Sequence, residues 1–171
     1  MRLFTRRSAK IGQPPGTVDF VGDAPATPAT LTITDLYPDR VERTTPEALP
    51  AALAPPPGVT VRWINLDGVH DEAMVQQIGA LAHIHPLVLE DIANTGQRPK
   101  LETFDDYLFA VVKMLRLDVE ETIDAEQVSL IVQERLVISF QERAGDVFDP
   151  VRRRLDNATG RLRTAGADYF A

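Results

Sequence analysis

The sequence contains no cysteine, which excludes disulfides, thiolate catalysis and every zinc motif built on thiolate ligands. A reducing compartment is consistent with this. Long apolar runs are also missing: Leu108 to Val112 and the proline-broken stretch Leu49 to Val61 fall far short of the roughly 20 residues a membrane helix needs. No bilayer span is expected within the chain. The basic start, with Arg2, Arg6, Arg7 and Lys10, is not followed by the apolar segment of a secretory signal. Export is not expected. No glycine-rich phosphate loop follows any predicted strand, because Gly58 and Gly68 stand isolated, and neither Ser129 nor Ser139 lies in a nucleophile elbow. A net charge of −7 lacks the concentrated basic face that phosphate backbones require. Nucleic acid is therefore not an expected partner.

What is present is an ordinary globular composition, 44% hydrophobic and 25% charged over 171 residues, long enough for one domain with a substantial core. The charge is uneven. Trp63 to Glu126 holds 13 acidic against 4 basic residues, a balance of −9, whereas Val151 to Ala171 holds 5 arginines against 2 aspartates, a balance of +3. This asymmetry suits cation attraction on one face, or simply a solvated acidic face, with a partner or membrane-proximal surface at the end.

Residues 1–16 end in Pro14-Pro15-Gly16 and read as a flexible tail. Val18 to Val21 and Leu31 to Leu36 read as a first pair of strands around a loop at Ala24 to Ala29, followed by a helix-prone stretch at Pro46 to Leu53. Val59 to Leu66 reads as a strand that puts Val59, Val61, Trp63 and Asn65 on one side. Helical spacing runs from Asp71 to Ala82, and Pro86 opens a second short helix that Asn94-Thr95-Gly96 stops after Ala93. Strands follow at Tyr107 to Leu117, Val128 to Val132 and Leu136 to Phe140, the last two joined by a tight turn at Gln133 to Arg135. A helix with Asp146 as N-cap comes next, and Ala167 to Ala171 reads as the first turn of a further, truncated helix. This irregular alternation with a late hairpin predicts an α/β layered sandwich around a mixed, partly antiparallel sheet.

Among candidate sites, His83 and His85 flank a helix start and read as capping or satisfied side chains rather than metal ligands; His70 and Glu72 belong to another helix start. Trp63 reads as core, and Arg152 to Arg154 as one solvated helix flank. The least expected choice is Glu90-Asp91 near the C-terminal end of a short helix, where the helix dipole disfavours negative charge by a few tenths of a kcal/mol. Two compensators are open: a hard cation, since Mg²⁺ prefers carboxylate oxygen and keeps most of its waters, or surface ion pairs with Arg98 and Lys100.

The run His85-Pro86-Leu87-Val88-Leu89-Glu90-Asp91-Ile92, followed by Gln97-Arg98-Pro99-Lys100-Leu101-Glu102, resembles the signature of CorA magnesium and cobalt transporters. Trp63 to Gly68 upstream, then Glu126 to Ile131, Phe140 to Glu142, Gly145 to Arg152 and Ala167 to Tyr169 downstream, are similar in order and spacing. The resemblance covers about Val59 to Ala171. It implies a three-layer αβα sandwich over residues 17–166 that acts as a cytoplasmic regulatory domain, with 167–171 opening a stalk helix. It implies Glu90 and Asp91 as regulatory metal ligands, with Mg²⁺ (Co²⁺ possible, Zn²⁺ less so) bound between subunits of a homopentamer and favouring a closed pore. The membrane part and the Gly-Met-Asn loop at the pore entrance would follow Ala171, on a chain whose present portion lies on the cytoplasmic side of the cell membrane. The chain is then not an enzyme. The rivals are a ZntB-like zinc transporter domain, a soluble Mg²⁺ enzyme using Asp67, Glu90 and Asp91, and a free-standing interaction module.

Overall fold

The computed structural model describes residues 14–22, 27–117, 123–158 and 160–171; most of the expected tail over 1–16, and residues 24–26 of the expected loop, lie outside them. Seven strands form one sheet: β1 (Thr30–Leu36), β2 (Val41–Thr44), β3 (Val61–Asp67), β4 (Lys100–Thr103), β5 (Leu108–Leu117), β6 (Ile123–Val132) and β7 (Leu136–Gln141). The order is β2-β1-β3-β7-β6-β5-β4. Only β3 and β7 run parallel, Ile64 opposite Ile138, while every other neighbouring pair is antiparallel. The expected mixed sheet is thus what forms.

Alternation along β3 explains the layers, since successive side chains point to opposite faces. Ile64 and Leu66 join the larger core with helices α1 (Glu72–Leu81) and α2 (Pro86–Ala93), through Val75, Ile78, Val88, Leu89 and Ile92. Val61 and Trp63 face the other way, into a smaller core with Leu36, Val137, Leu155, Leu162 and Ala167. That second core lies under α3 (Asp149–Asp156) and α4 (Ala167–Phe170). The result is an αβα sandwich. The two helices of the first layer pack closely because Gly79 gives room: a Cβ there would lie 2.4 Å from Leu89 Cδ1.

Three local expectations are corrected. Pro46 to Leu53 is irregular rather than helical; Pro50 in its middle removes a donor and obstructs the preceding turn. Val18 to Val21 does not pair with β1; instead Val21 forms a parallel bridge to Asn94 beyond α2, and Val18 is buried in the larger core. Asp146 is not the N-cap of the helix, which starts at Asp149 after Phe148. A start at Val147 would put Pro150 where the first intrahelical bond needs an N–H. The short strands β2 and β4, both at sheet edges, have no apolar alternation in VERT and KLET and escape a reading by pattern.

Candidate metal centre

Pro86 occupies the first turn of α2, and the His85 ring caps it, Nδ1 accepting from the Leu87 N–H at 3.2 Å. The capping reading of His85 therefore holds. Val88, Leu89, Ile92 and Ala93 form the buried stripe, which turns Glu90 and Asp91 to the helix flank, where both are half-buried. No basic residue stands in the last turn of α2, so the dipole cost on these acids is met from outside the helix.

Side chains of the following loop and β4, and one backbone N–H from far back in the chain, meet it. Asp91 Oδ2 accepts from Lys100 Nζ at 2.6 Å, and Oδ1 from Gln97 Nε2 at 2.8 Å. Lys100 also donates to Glu102 Oε1 at 3.0 Å. Burial works against the ammonium charge, yet the hydrogen bonds to Asp91 and Glu102 outweigh it and hold the Lys100 pKa above its ordinary value. Arg98, weighed beside Lys100 in the sequence, is exposed. Glu90 Oε2 accepts from the backbone N–H of Gly16 at 2.8 Å. Gly16 has φ +82, and a Cβ on it would sit 2.9 Å from Pro86 Cβ, so glycine is required for the chain to cross α2 there.

The loop after α2 is fastened by Gln127 of β6, a buried residue absent from the sequence-based candidates. Its Nε2 donates to the Asp91 carbonyl at 3.3 Å, its Oε1 accepts from the Gln97 N–H at 3.1 Å, and its own N–H donates to Glu142 Oε1 at 2.7 Å. Burial pushes the Glu142 carboxyl pKa up despite that bond, and burial likewise lowers the pKa of Lys113, whose Nζ donates to the Thr95 carbonyl at 2.8 Å. Contacts such as Gln97 to Gln127 and Gly16 to Glu90 join residues far apart in the chain and leave no local signal.

The donor chemistry at Glu90 and Asp91 is all carboxylate oxygen, which suits a hard cation. Two acids are only part of a coordination shell, and among the described residues no group of three or more His, Asp or Glu is placed to hold a metal ion. Asp67, the third acid of the enzyme alternative, follows Trp63 and Asn65 on the α3 side of the sheet, whereas α2 lies on the opposite side. These three acids do not converge.

Asp67 belongs instead to a polar network beneath α3. Trp63 Nε1 donates to Ser139 Oγ at 2.8 Å, Ser139 and Gln141 donate to Asn65 Oδ1, and Asn65 Nδ2 donates to Asp67 Oδ1 at 3.0 Å. Burial raises the Asp67 pKa, with the charge of Asp146 adding to it. Arg152 is no solvated flank: it pairs with Asp146 and lies 5.2 Å from the Trp63 ring centroid. Arg153 and Arg154 are exposed as expected.

The profile of the CorA-like Mg2+ transporter protein family matches residues 59–169. The chain is 42% identical over 170 residues to the cobalt/magnesium transport protein CorA of Thermotoga maritima, covering 96% of this chain and 47% of that protein. It is 31% identical over 99 residues to the putative metal ion transporter YfjQ of Bacillus subtilis, covering 58% of this chain and 30% of that protein. The chain therefore spans about half or less of the curated relatives it matches, and those relatives are named as transport proteins rather than enzymes. In fold it is similar to the full-length CmaX protein, with TM-score 0.61 and 18% identity over 81% of this chain and 42% of that one. It is similar also to the ZntB cytoplasmic domain of Vibrio parahaemolyticus, with TM-score 0.56 and 11% identity over 75% of this chain and 50% of that one. No helix among the described residues is long and apolar enough to cross a membrane. From the family profile, the long match to the Thermotoga protein and the shared fold, the chain belongs to the CorA-like Mg2+ transporter family.

Proposed function

We propose that this chain is the cytoplasmic cation-sensing and assembly domain of a Mg²⁺/Co²⁺ channel, with Glu90 and Asp91 as its half of a metal site shared between neighbouring subunits. The observation that carries this reading is the pair itself: adjacent, half-buried carboxylates on the flank of α2, without a third acid from the described chain to complete a site. A second subunit would supply the missing oxygens, in a homopentamer whose stalk helix starts at α4 and leads to the membrane. Mg²⁺ tolerates such a site because one or two carboxylates plus water satisfy it.

Bound Mg²⁺ then holds neighbouring domains together and favours the closed pore. When the ion falls, facing carboxylates repel and the population shifts to conducting arrangements, a shift set by the ion's differential affinity for the two states. All-oxygen donors support Mg²⁺ over Zn²⁺, which is held more often by histidine and thiolate. The test is ion flux through the full-length protein in proteoliposomes, with Mg²⁺ titrated on the sensor side. The Glu90→Ala/Asp91→Ala variant should need at least about ten-fold more Mg²⁺ to close, equivalent to about 1.4 kcal/mol of lost coupling. Closure at the wild-type concentration would remove these acids from the sensor.

A further inference from the structure

Lys100 stands in the place a cation would take at Asp91. Its ammonium lies 2.6 Å from Asp91 Oδ2 and 3.0 Å from Glu102 Oε1, so one charge is shared between two carboxylates. Glu102 follows two residues later on β4 and therefore points to the same side of the strand. The Phe109 ring lies under the ammonium, 5.1 Å from Nζ to centroid, in the range where a cation is attracted to an aromatic face. Lys100 can thus leave Asp91 without losing a carboxylate partner or its aromatic support. Asp91 keeps its hydrogen bond from Gln97 on the other oxygen, which holds the carboxylate in orientation when the lysine moves.

We propose that Lys100 is a resident competitor for the divalent cation: it occupies Asp91 when the ion is absent, moves to Glu102 when the ion binds, and so sets the concentration at which the site fills. This rests on the reading of Asp91 as a metal ligand. An ammonium and a divalent cation cannot share one carboxylate oxygen without strong repulsion, so an ion that binds Asp91 Oδ2 directly displaces the lysine. A weak site follows directly from this exchange, and a weak site suits an ion present at high concentration.

The test is an NMR titration of this chain with MgCl₂ into the tens of millimolar, reading the Asp91 and Gln97 amides together with the Lys100 side-chain Cε and Nζ signals. In the wild type, the Lys100 signals should move in step with the Asp91 amide. Lys100→Met, which keeps the stem over Phe109, should lower the Mg²⁺ midpoint about three- to ten-fold, and Lys100→Gln should act in the same direction. Glu102→Gln should raise the midpoint, because the lysine then has no second carboxylate. Asp91→Asn should abolish the shifts in every background. An unchanged midpoint in both lysine variants, with the shifts still dependent on Asp91, would overturn the competitor role and leave the metal reading standing. Shifts absent from Asp91 in the wild type and both lysine variants would overturn the competitor role, because removing the lysine should open this half-site to the ion; the shared-site reading is decided separately by flux through the full-length protein.

Discussion

Asp67 and Asp146 lie on one face of the sheet under α3, and the fold perturbs them in opposite directions. Burial raises the Asp67 pKa, against the bond from Asn65; burial also opposes the Asp146 charge, but the Arg152 guanidinium and the Phe148 N–H overcome it and lower that pKa. The stability consequences have opposite signs. The Asp146 contribution is present above the ordinary aspartate pKa and is lost as pH falls through its depressed folded value. For Asp67 the folded state favours the proton, so the contribution is present below the ordinary pKa and is lost as pH rises through the raised value. Asp67→Asn, which keeps an acceptor for Asn65, should therefore raise the melting temperature at pH 7 and give no gain near pH 3.5, as thermal unfolding at the two pH values will read. Gly16→Ala meets both the positive φ and Pro86; its cost should be about 1–3 kcal/mol in denaturant unfolding.

Among the elements, β5 shows how one strand carries two unlike faces. Phe109 and Val111 are fully buried against the α1 and α2 layer, whereas Leu108 and Val112 are 37% and 41% exposed on the opposite face. Phe109→Ala should cost about 3–5 kcal/mol, and Val112→Ala no more than about 0.5 kcal/mol, a contrast that chemical denaturation measures directly. This strand and α2 were legible in the sequence because their signals are local: an alternating apolar run, and a proline start with an Asn-Thr-Gly stop. The edge strands β2 and β4 were not, since their sequences become strands only through the neighbours that pair with them. The start of α3 lies two residues later than the sequence reading places it because Asp146, two positions before the N-cap, accepts from the Phe148 N–H and the Arg152 side chain instead of a first-turn backbone N–H.

For the whole molecule, the layered sandwich followed from the order of elements, and the family followed from motif blocks spread over the chain. Glu90 and Asp91 were singled out by their unfavourable place on a helix dipole. Their partners are only half visible in the sequence: Lys100 is an ion-pair candidate from proximity along the chain, while Gly16 and Gln127 come from the far sides of the fold. The larger claim concerns copies of the chain rather than one copy, and the absence of cysteine from these 171 residues leaves this part of the protein clear for an engineered label. Leu87, one turn before the acids on α2 and 48% exposed, accepts a single spin label through Leu87→Cys in the full-length protein once any cysteine outside these 171 residues is replaced. Electron-spin distance measurement between subunits should give narrow distributions in Mg²⁺ and broad, shifted ones after chelation, with the narrowing lost in the Glu90→Ala/Asp91→Ala background. Distributions that ignore Mg²⁺, or that narrow equally without the two acids, would contradict a cation-bridged interface at Glu90 and Asp91.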